Sequence, residues 1–294
     1  MVQQKYKVLS NQLFSHKGMV LPFHYACDLT KESLDSLEHF EIRNSDVYIV
    51  TFPKSGTVWT QRIVTMLYDD DLPKDVDLVT MKCIPWLEYL AKGNNYNSGP
   101  SPRLFCSHLQ EHLVPRGLHE KKVIYITRNP KDILVSYPHF SKFLLTLEQH
   151  KNMEETLEKF LCGWVGGGSW FDHVKGWYTN HDKYNILFLS YKKMIKDLRS
   201  AVMKISDFLG KSLPDAAVDK VVGKATFKNM KSDPKANYEF LSNCITKKTG
   251  HFFTRVSGKL LLNHLSQNER FDKAFEERMK DSPLRFIWDI TELH

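Results

Sequence analysis

A β-branched run, Val47-Tyr-Ile-Val50, leads without interruption into Thr51-Phe-Pro-Lys-Ser-Gly-Thr-Val-Trp-Thr60, and that stretch into Gln61-Arg-Ile-Val-Thr-Met-Leu-Tyr68, whose apolar residues recur at helical spacing. The pattern predicts strand, tight loop, helix. A loop of Lys54, Ser55, Gly56 and Thr57 at a helix start offers free backbone N–H groups, hydroxyls, the positive end of the helix dipole and a mobile ammonium. It is suited to hold a phosphate-like anion. Taken alone, the same tetrad also reads as a plain strand-to-helix turn with Thr57 as N-cap.

Further strand-like runs occur at Arg103-Leu-Phe-Cys-Ser107, Lys122-Val-Ile-Tyr-Ile-Thr127 and Asn185-Ile-Leu-Phe-Leu-Ser190, short and apolar as strands buried on both faces are. Helical patterns cover Pro130 to Phe143, Met153 to Cys162, Ser169 to Thr179, Lys192 to Leu209 and Asp215 to Val222. Strands alternating with helices predict an α/β fold with a central, mostly parallel sheet flanked by helices. Gly166-Gly-Gly168 falls between two helical patterns and reads as a helix–helix turn. With no repeat, linker or low-complexity segment, residues 1–294 are expected to form a single domain. Open parallel sheets bind ligands beyond the carboxyl ends of their strands, so motifs that follow strands can share one crevice.

At 42% hydrophobic and 26% charged, the chain can bury a sizeable core and is no disordered segment. No run approaches the length of a membrane-spanning helix, and Met1-Val-Gln-Gln-Lys5 lacks the apolar stretch of a secretory signal, so a cytoplasmic location is expected. Cys27, Cys83, Cys106, Cys162 and Cys244 form no Cys-x-x-Cys pair, which argues against a disulfide framework or a zinc site. The net charge of +7 is moderate and interspersed, a poor basis for nucleic-acid binding and an adequate one for a small polyanion.

A Walker loop carries its lysine after the second glycine, whereas Lys54 precedes Gly56 and the loop has no upstream glycine. A kinase-like reading fails on that order. Phe52-Pro-Lys-Ser-Gly-Thr-Val-Trp59 instead resembles the 5′-phosphosulfate loop of the cytosolic sulfotransferases, which use 3′-phosphoadenylyl sulfate (PAPS) as donor. Thr127-Arg-Asn-Pro-Lys-Asp-Ile-Leu-Val-Ser-Tyr137 resembles that family's 3′-phosphate segment, which assigns the phosphate to Arg128 and Ser136. Arginine's forked donors suit a phosphate, although a surface ion pair with Asp132 is the alternative. Ala225-Thr-Phe-Lys-Asn-Met230 is similar to the family's adenine-contacting stretch. The resemblance thus puts Trp59, Tyr191, Ala225, Thr226, Phe227 and Met230 around the base, and Gly56 and Val58 in the donor loop; each apolar one also reads as core. It runs from Phe40-Glu-Ile-Arg-Asn-Ser-Asp46 to Phe286-Ile-Trp-Asp289. Pro234-Lys-Ala-Asn-Tyr-Glu239 and Phe171-Asp-His-Val-Lys-Gly-Trp-Tyr178 are most similar to the amine sulfotransferase branch.

By the same resemblance His108 is the general base, Lys54 neutralises the bridging oxygen, and Ser55 and Thr57 hold the 5′-phosphate. No metal is implied. The chain departs from the family in three places. Many members have Lys-Thr-His where Cys106-Ser107-His108 stands; Pro138 interrupts the helical pattern after Ser136; and the C-terminal Arg-Lys-Gly-x-x-Gly-x-Trp-Lys clamp is replaced by Phe253-Thr-Arg-Val-Ser-Gly-Lys-Leu-Leu-Leu-Asn-His-Leu-Ser266. Arg255, Ser257, Gly258 and Lys259 are the candidates for a shorter clamp, with Arg255 as phosphate ligand. The family's dimer motif overlaps this stretch and is not recognisable, so a homodimer by that route is not expected.

Two functions remain open on the sequence. One is PAPS-dependent transfer to a hydroxyl or amine of a small apolar acceptor, with Phe23, Trp86, Phe140, Phe143 and Tyr238 as candidate pocket residues. The other is a nucleotide-binding protein with little catalysis, suggested by Cys106, Pro138 and the altered clamp. Neither reading calls for a nucleic acid or a membrane partner.

Overall fold

Three short strands precede the strand–loop–helix unit and escaped the sequence reading: β1 (Lys7–Val8), β2 (Leu13–His16) and β3 (Met19–Pro22), paired antiparallel in the order β1-β2-β3. Lys17 and Gly18 join β2 to β3 with φ of 46° and 84°, the backbone of a tight hairpin turn. Strands this short carry no measurable alternation. The structure, a computed structural model, describes residues 7–8, 12–22, 29–71, 79–90, 96–97, 99–241, 245–246, 252 and 265–288.

The central sheet consists of β4 (Val47–Thr51), β5 (Leu104–Ser107), β6 (Lys122–Thr127) and β7 (Asn185–Ser190), all parallel, in the order β5-β4-β6-β7. The predicted α/β class and parallel sheet are therefore present. The helices are α1 (Lys31–Ser36), α2 (Thr57–Leu67), α3 (Thr80–Cys83), α4 (Pro130–Phe143), α5 (Met153–Cys162), α6 (Trp170–Thr179), α7 (Tyr191–Lys196), α8 (Leu198–Leu209), α9 (Asp215–Lys224), α10 (Phe227–Ser232) and α11 (Leu265–Met279).

Successive residues of a strand face opposite sides of a sheet, and β4 shows the consequence. Val47 and Ile49 pack with Ile63, Val64, Val202, Ile205 and Val218 of α2, α8 and α9, while Tyr48 and Val50 pack with Phe14, Leu21, Leu34 and Trp177 on the other face. A third core joins α4, α5, α6 and α11 through Leu134, Phe160, Phe171 and Phe271. At the amino end of the sheet the buried Arg103 guanidinium holds the Asp46 carboxylate through Nε (3.1 Å) and Nη2 (2.5 Å), tying the start of β4 to the start of β5.

The helical pattern from Lys192 to Leu209 is two helices rather than one. The chain leaves helical geometry at Asp197 (φ −139°, ψ 83°), whose carboxylate accepts the N–H of Ser200 at 2.9 Å and caps α8. Pro138 is accommodated inside α4, which continues to Phe143. Gly166-Gly-Gly168 does join α5 to α6. At Gly167 (φ +99°) an added Cβ would lie 2.6 Å from Pro53 Cδ, so the absence of a side chain lets this turn pack against the loop after β4.

Candidate functional site

The loop after β4 curls because Lys54 (φ 67°) and Gly56 (φ 103°) both adopt positive φ on either side of Ser55. Gly56, not Thr57, is the N-cap of α2, and Thr57 is the first helical residue. The plain-turn alternative is corrected in that detail. The Thr57 hydroxyl is 2.5 Å from that of Thr51, which closes the loop's base. Ser55 Oγ is buried and has no hydrogen-bond partner among the described residues. A buried hydroxyl left unpaired is costly, and an anion at the helix start would satisfy it.

The other strand ends converge on this loop. Arg128, directly after β6, donates from Nη1 to the Lys54 carbonyl at 2.6 Å, and its guanidinium lies 4.4 Å from the Tyr191 ring at the end of β7. Its Nε is buried and unpartnered among the described residues. Two orphaned donors, Ser55 Oγ and Arg128 Nε, thus fit a phosphorylated ligand. An ion pair between Arg128 and Asp132 is absent among the described residues, where Asp132 faces Lys192 at 3.5 Å. Ser136 is buried on α4, about two turns beyond the Asn129 cap.

His108 follows β5. Its Nδ1 is 2.7 Å from the Thr51 carbonyl oxygen, and its backbone N–H donates to Glu88 Oε1 at 2.8 Å. The Trp86 ring lies 4.5 Å from the imidazole. Burial pushes the His108 pKa down to about 4, against the Thr51 carbonyl and aided by the charge of Lys54. Burial, then the nearby Arg128 charge, pushes Lys54 down to about 7. Burial raises Glu88 to about 7. Lys54 Nζ rests between Phe140 and Phe252, 4.6 and 4.5 Å from the ring centroids.

The predicted base-binding residues form a second cluster. Trp59 Nε1 donates to the Ala225 carbonyl at 2.7 Å, and its ring stands edge-on to Tyr191 at 5.5 Å. Thr226 caps α10 and Phe227 is exposed. Val58 and Met230 are buried together with Ala236 and Tyr238, behind rather than on an open surface. Tyr238 donates to Gln61 Oε1 at 3.0 Å, and the Gln61 amide donates to Cys106 Sγ at 2.8 Å and to the Ile84 carbonyl at 3.0 Å. Phe143 is likewise buried. Arg255, Ser257, Gly258, Lys259 and Phe23 lie outside the described residues. The sequence reading missed Thr51 and Glu88, whose contacts to His108 link separate segments, and Phe252, which lies in no periodic pattern. Among the described residues no group of three His, Cys, Asp or Glu is placed to hold a metal, and no helix is long and apolar enough to cross a membrane.

A parallel sheet with anion donors gathered at its carboxyl edge agrees with a direct family match: the sulfotransferase domain is recognised over residues 44–283, and the chain belongs to the sulfotransferase family of enzymes. The chain is 45% identical to the amine sulfotransferase of Oryctolagus cuniculus over 267 residues, 88% of this chain and 89% of that protein. It is 36% identical to sulfotransferase 1E1 of Bos taurus over 266 residues, 87% of this chain and 90% of the relative. Mouse sulfotransferase SULT7A1, solved in complex with PAP, superposes with a TM-score of 0.75 at 30% identity, covering 92% of this chain and 96% of that one. Retinol dehydratase, solved with androsterone and the inactive cofactor PAP, shares the fold with a TM-score of 0.77 at 22% identity, covering 93% of this chain and 90% of that one.

Proposed function

We propose that the chain, acting as a single cytoplasmic domain, transfers the sulfuryl group of PAPS to a hydroxyl or amine of a small apolar acceptor, with His108 as general base. The observation that carries this reading is the contact of His108 Nδ1 with the Thr51 carbonyl. A carbonyl oxygen only accepts, so Nδ1 carries the hydrogen and Nε2 keeps its lone pair. A pKa of about 4 in the ligand-free protein keeps the ring neutral and able to take a proton. Nearby donor phosphates would raise its basicity as the proton arrives.

In this reading Nε2 removes the acceptor proton as the acceptor oxygen or nitrogen bonds to sulfur and the bond from sulfur to the bridging oxygen breaks. The Lys54 ammonium faces the charge that develops on that oxygen. Ser55, Thr57 and the backbone N–H groups of Gly56 and Val58 hold the 5′-phosphate, Arg128 and Ser136 the 3′-phosphate, and Trp59 and Tyr191 the base, against a wall that includes Ala225, Thr226 and Phe227, with Met230 packed behind it. Arg255 is kept as a further 3′-phosphate ligand. Trp86 and Phe140, beside His108 and Lys54, face the acceptor. Amines belong among the acceptors because the relative from Oryctolagus cuniculus is an amine sulfotransferase.

The test is incubation of purified protein with labelled PAPS and a panel of phenols, steroids, alcohols and arylamines. His108→Ala should lose transfer while still binding 3′-phosphoadenosine 5′-phosphate (PAP). Near-normal turnover by that variant would overturn the role of His108. Nucleotide binding without transfer to any acceptor would instead favour a binding protein.

A further inference from the structure

The altered clamp raises the question of what else fixes the 3′-phosphate segment, and the described carboxyl-terminal residues supply an answer. Asn129, the residue after Arg128, works in two directions. Its Oδ1 caps α4 by accepting the N–H groups of Lys131 (2.8 Å) and Asp132 (3.4 Å), and its Nδ2 donates to the Ile287 carbonyl at 3.1 Å. One residue further along the tail, the Trp288 carbonyl accepts a hydrogen bond from Lys192, which also faces the Asp132 carboxylate at 3.5 Å. Lys131 completes the fastening. Its ammonium reaches Asn268 Oδ1 (2.6 Å) and Asp272 Oδ1 (2.5 Å) on α11 and lies 5.2 Å from the Trp288 ring. That ring packs edge-on against Phe275 at 4.9 Å.

The contacts to Asn129, Lys131 and Asp132 hold the cap and first turn of α4, which lie between Arg128 and Ser136. Arg128 itself makes one described hydrogen bond, to the Lys54 carbonyl, and leaves Nε unpaired among the described residues. An arginine that must present a fork to a phosphate needs its backbone held, because a small displacement of the donors weakens a bidentate contact steeply. We infer that the segment of Ile287 and Trp288 is a strap that positions Arg128 and Ser136, so that Trp288 and Lys192 set the protein's preference for a 3′-phosphorylated nucleotide without touching it. The inference rests on the proposed role of Arg128 toward the 3′-phosphate. Trp288 and Lys192 are positioning residues, and the first turn of α4 is what they position.

The experiment measures the affinities of the protein for PAP and for adenosine 5′-phosphate, which lacks the 3′-phosphate, by calorimetry. The ratio of the two isolates the 3′-phosphate. Trp288→Ala and Lys192→Met should each reduce the ratio by about three- to tenfold, while the affinity for adenosine 5′-phosphate stays near that of the unmodified protein and Trp288→Phe retains the ratio. General loosening of the fold would weaken both nucleotides equally and would overturn the inference, as would an unchanged ratio in both variants. Arg128→Ala separates the two levels. If it collapses the ratio and the strap variants do not, the strap alone is wrong. If it leaves the ratio intact, the role of Arg128 fails and the strap with it.

Discussion

Thr51 and His108, the residues that follow paired positions Val50 and Ser107 on β4 and β5, meet through a 2.7 Å contact between the threonine carbonyl and the histidine Nδ1. Strand register thus determines an imidazole tautomer. Because the acceptor atom belongs to the backbone, no substitution at position 51 removes it directly, and the orientation is as durable as the sheet.

The charges around this pair set a pH profile. In the proposed roles His108 must be neutral to act as base, which holds above about pH 4, and Lys54 must be charged to act as cation, which holds below about pH 7. We expect kcat/KM of the free enzyme to rise through the first value and fall through the second. Bound donor phosphates raise the Lys54 pKa, so the falling limb of kcat should lie at higher pH than that of kcat/KM. Coincident falling limbs would contradict the assignment to Lys54.

Replacing Lys54 should trade activity for stability. Its pKa falls from 10.5 in an ordinary lysine to about 7 in the folded chain, so the unfolded chain binds this proton more tightly. The sign is opposite to that of a lysine gaining a partner: the charged lysine opposes folding fully below about pH 7, and the penalty fades as pH rises toward 10.5. Lys54→Met should therefore raise the melting temperature at pH 7, by an amount that shrinks toward pH 10, while its thioether keeps contact with the Phe140 and Phe252 rings. Transfer should fall by about a hundredfold or more. A lower melting temperature at pH 7 would refute the burial argument.

Gly56→Ala addresses the loop. The new Cβ would lie 2.8 Å from Tyr191 Cδ2, on a backbone with φ +103°. Destabilisation of at least about 1–2 kcal/mol is expected from the backbone conformation, with weaker PAP binding because the Tyr191 ring, against which Arg128 stacks, must move. Urea unfolding and a PAP titration read both effects, and unaltered values in the two assays would show that the loop tolerates a side chain.

Trp86→Ala separates acceptor from donor. The indole is 4.5 Å from His108, on the side away from the Arg128 and Tyr191 cluster in sheet order. The acceptor KM should rise by about tenfold, equivalent to about 1.4 kcal/mol of uniform binding, with the donor KM unchanged. A matching rise in the donor KM would place the indole in the nucleotide site instead.

The legible parts of this fold were those with enough residues to repeat a pattern. Lys122–Thr127, Asn185–Ser190, Pro130–Phe143 and Met153–Cys162 have the bounds that their apolar spacing implies. The three strands up to Pro22 were too short for any period to register, and the break at Asp197 turned on one carboxylate capping α8 inside an otherwise helical pattern. Within the site, Lys54, Ser55, Arg128 and His108 are side chains on strand ends, and the sequence marks such residues by type and place. The Thr51 carbonyl and the Glu88 carboxylate are different in kind. A backbone atom has no residue-type signal, and Glu88 meets His108 only because α3 and the turn after it return the chain to β5.

Cys106 lies at the centre of a small closed set. Its sulfur accepts from Gln61, whose amide also serves the Ile84 carbonyl, and whose oxygen accepts from Tyr238, itself stacked on Phe252 at 4.8 Å. A lysine at position 106, as many family members carry, would have to thread a long cationic side chain through this fully buried volume, and Gln61 and Tyr238 could not both remain as they are. The exchange is therefore epistatic. A single Cys106→Lys substitution should disturb Gln61 and Tyr238, and through Tyr238 the Phe252 ring that lies 4.5 Å from Lys54 Nζ.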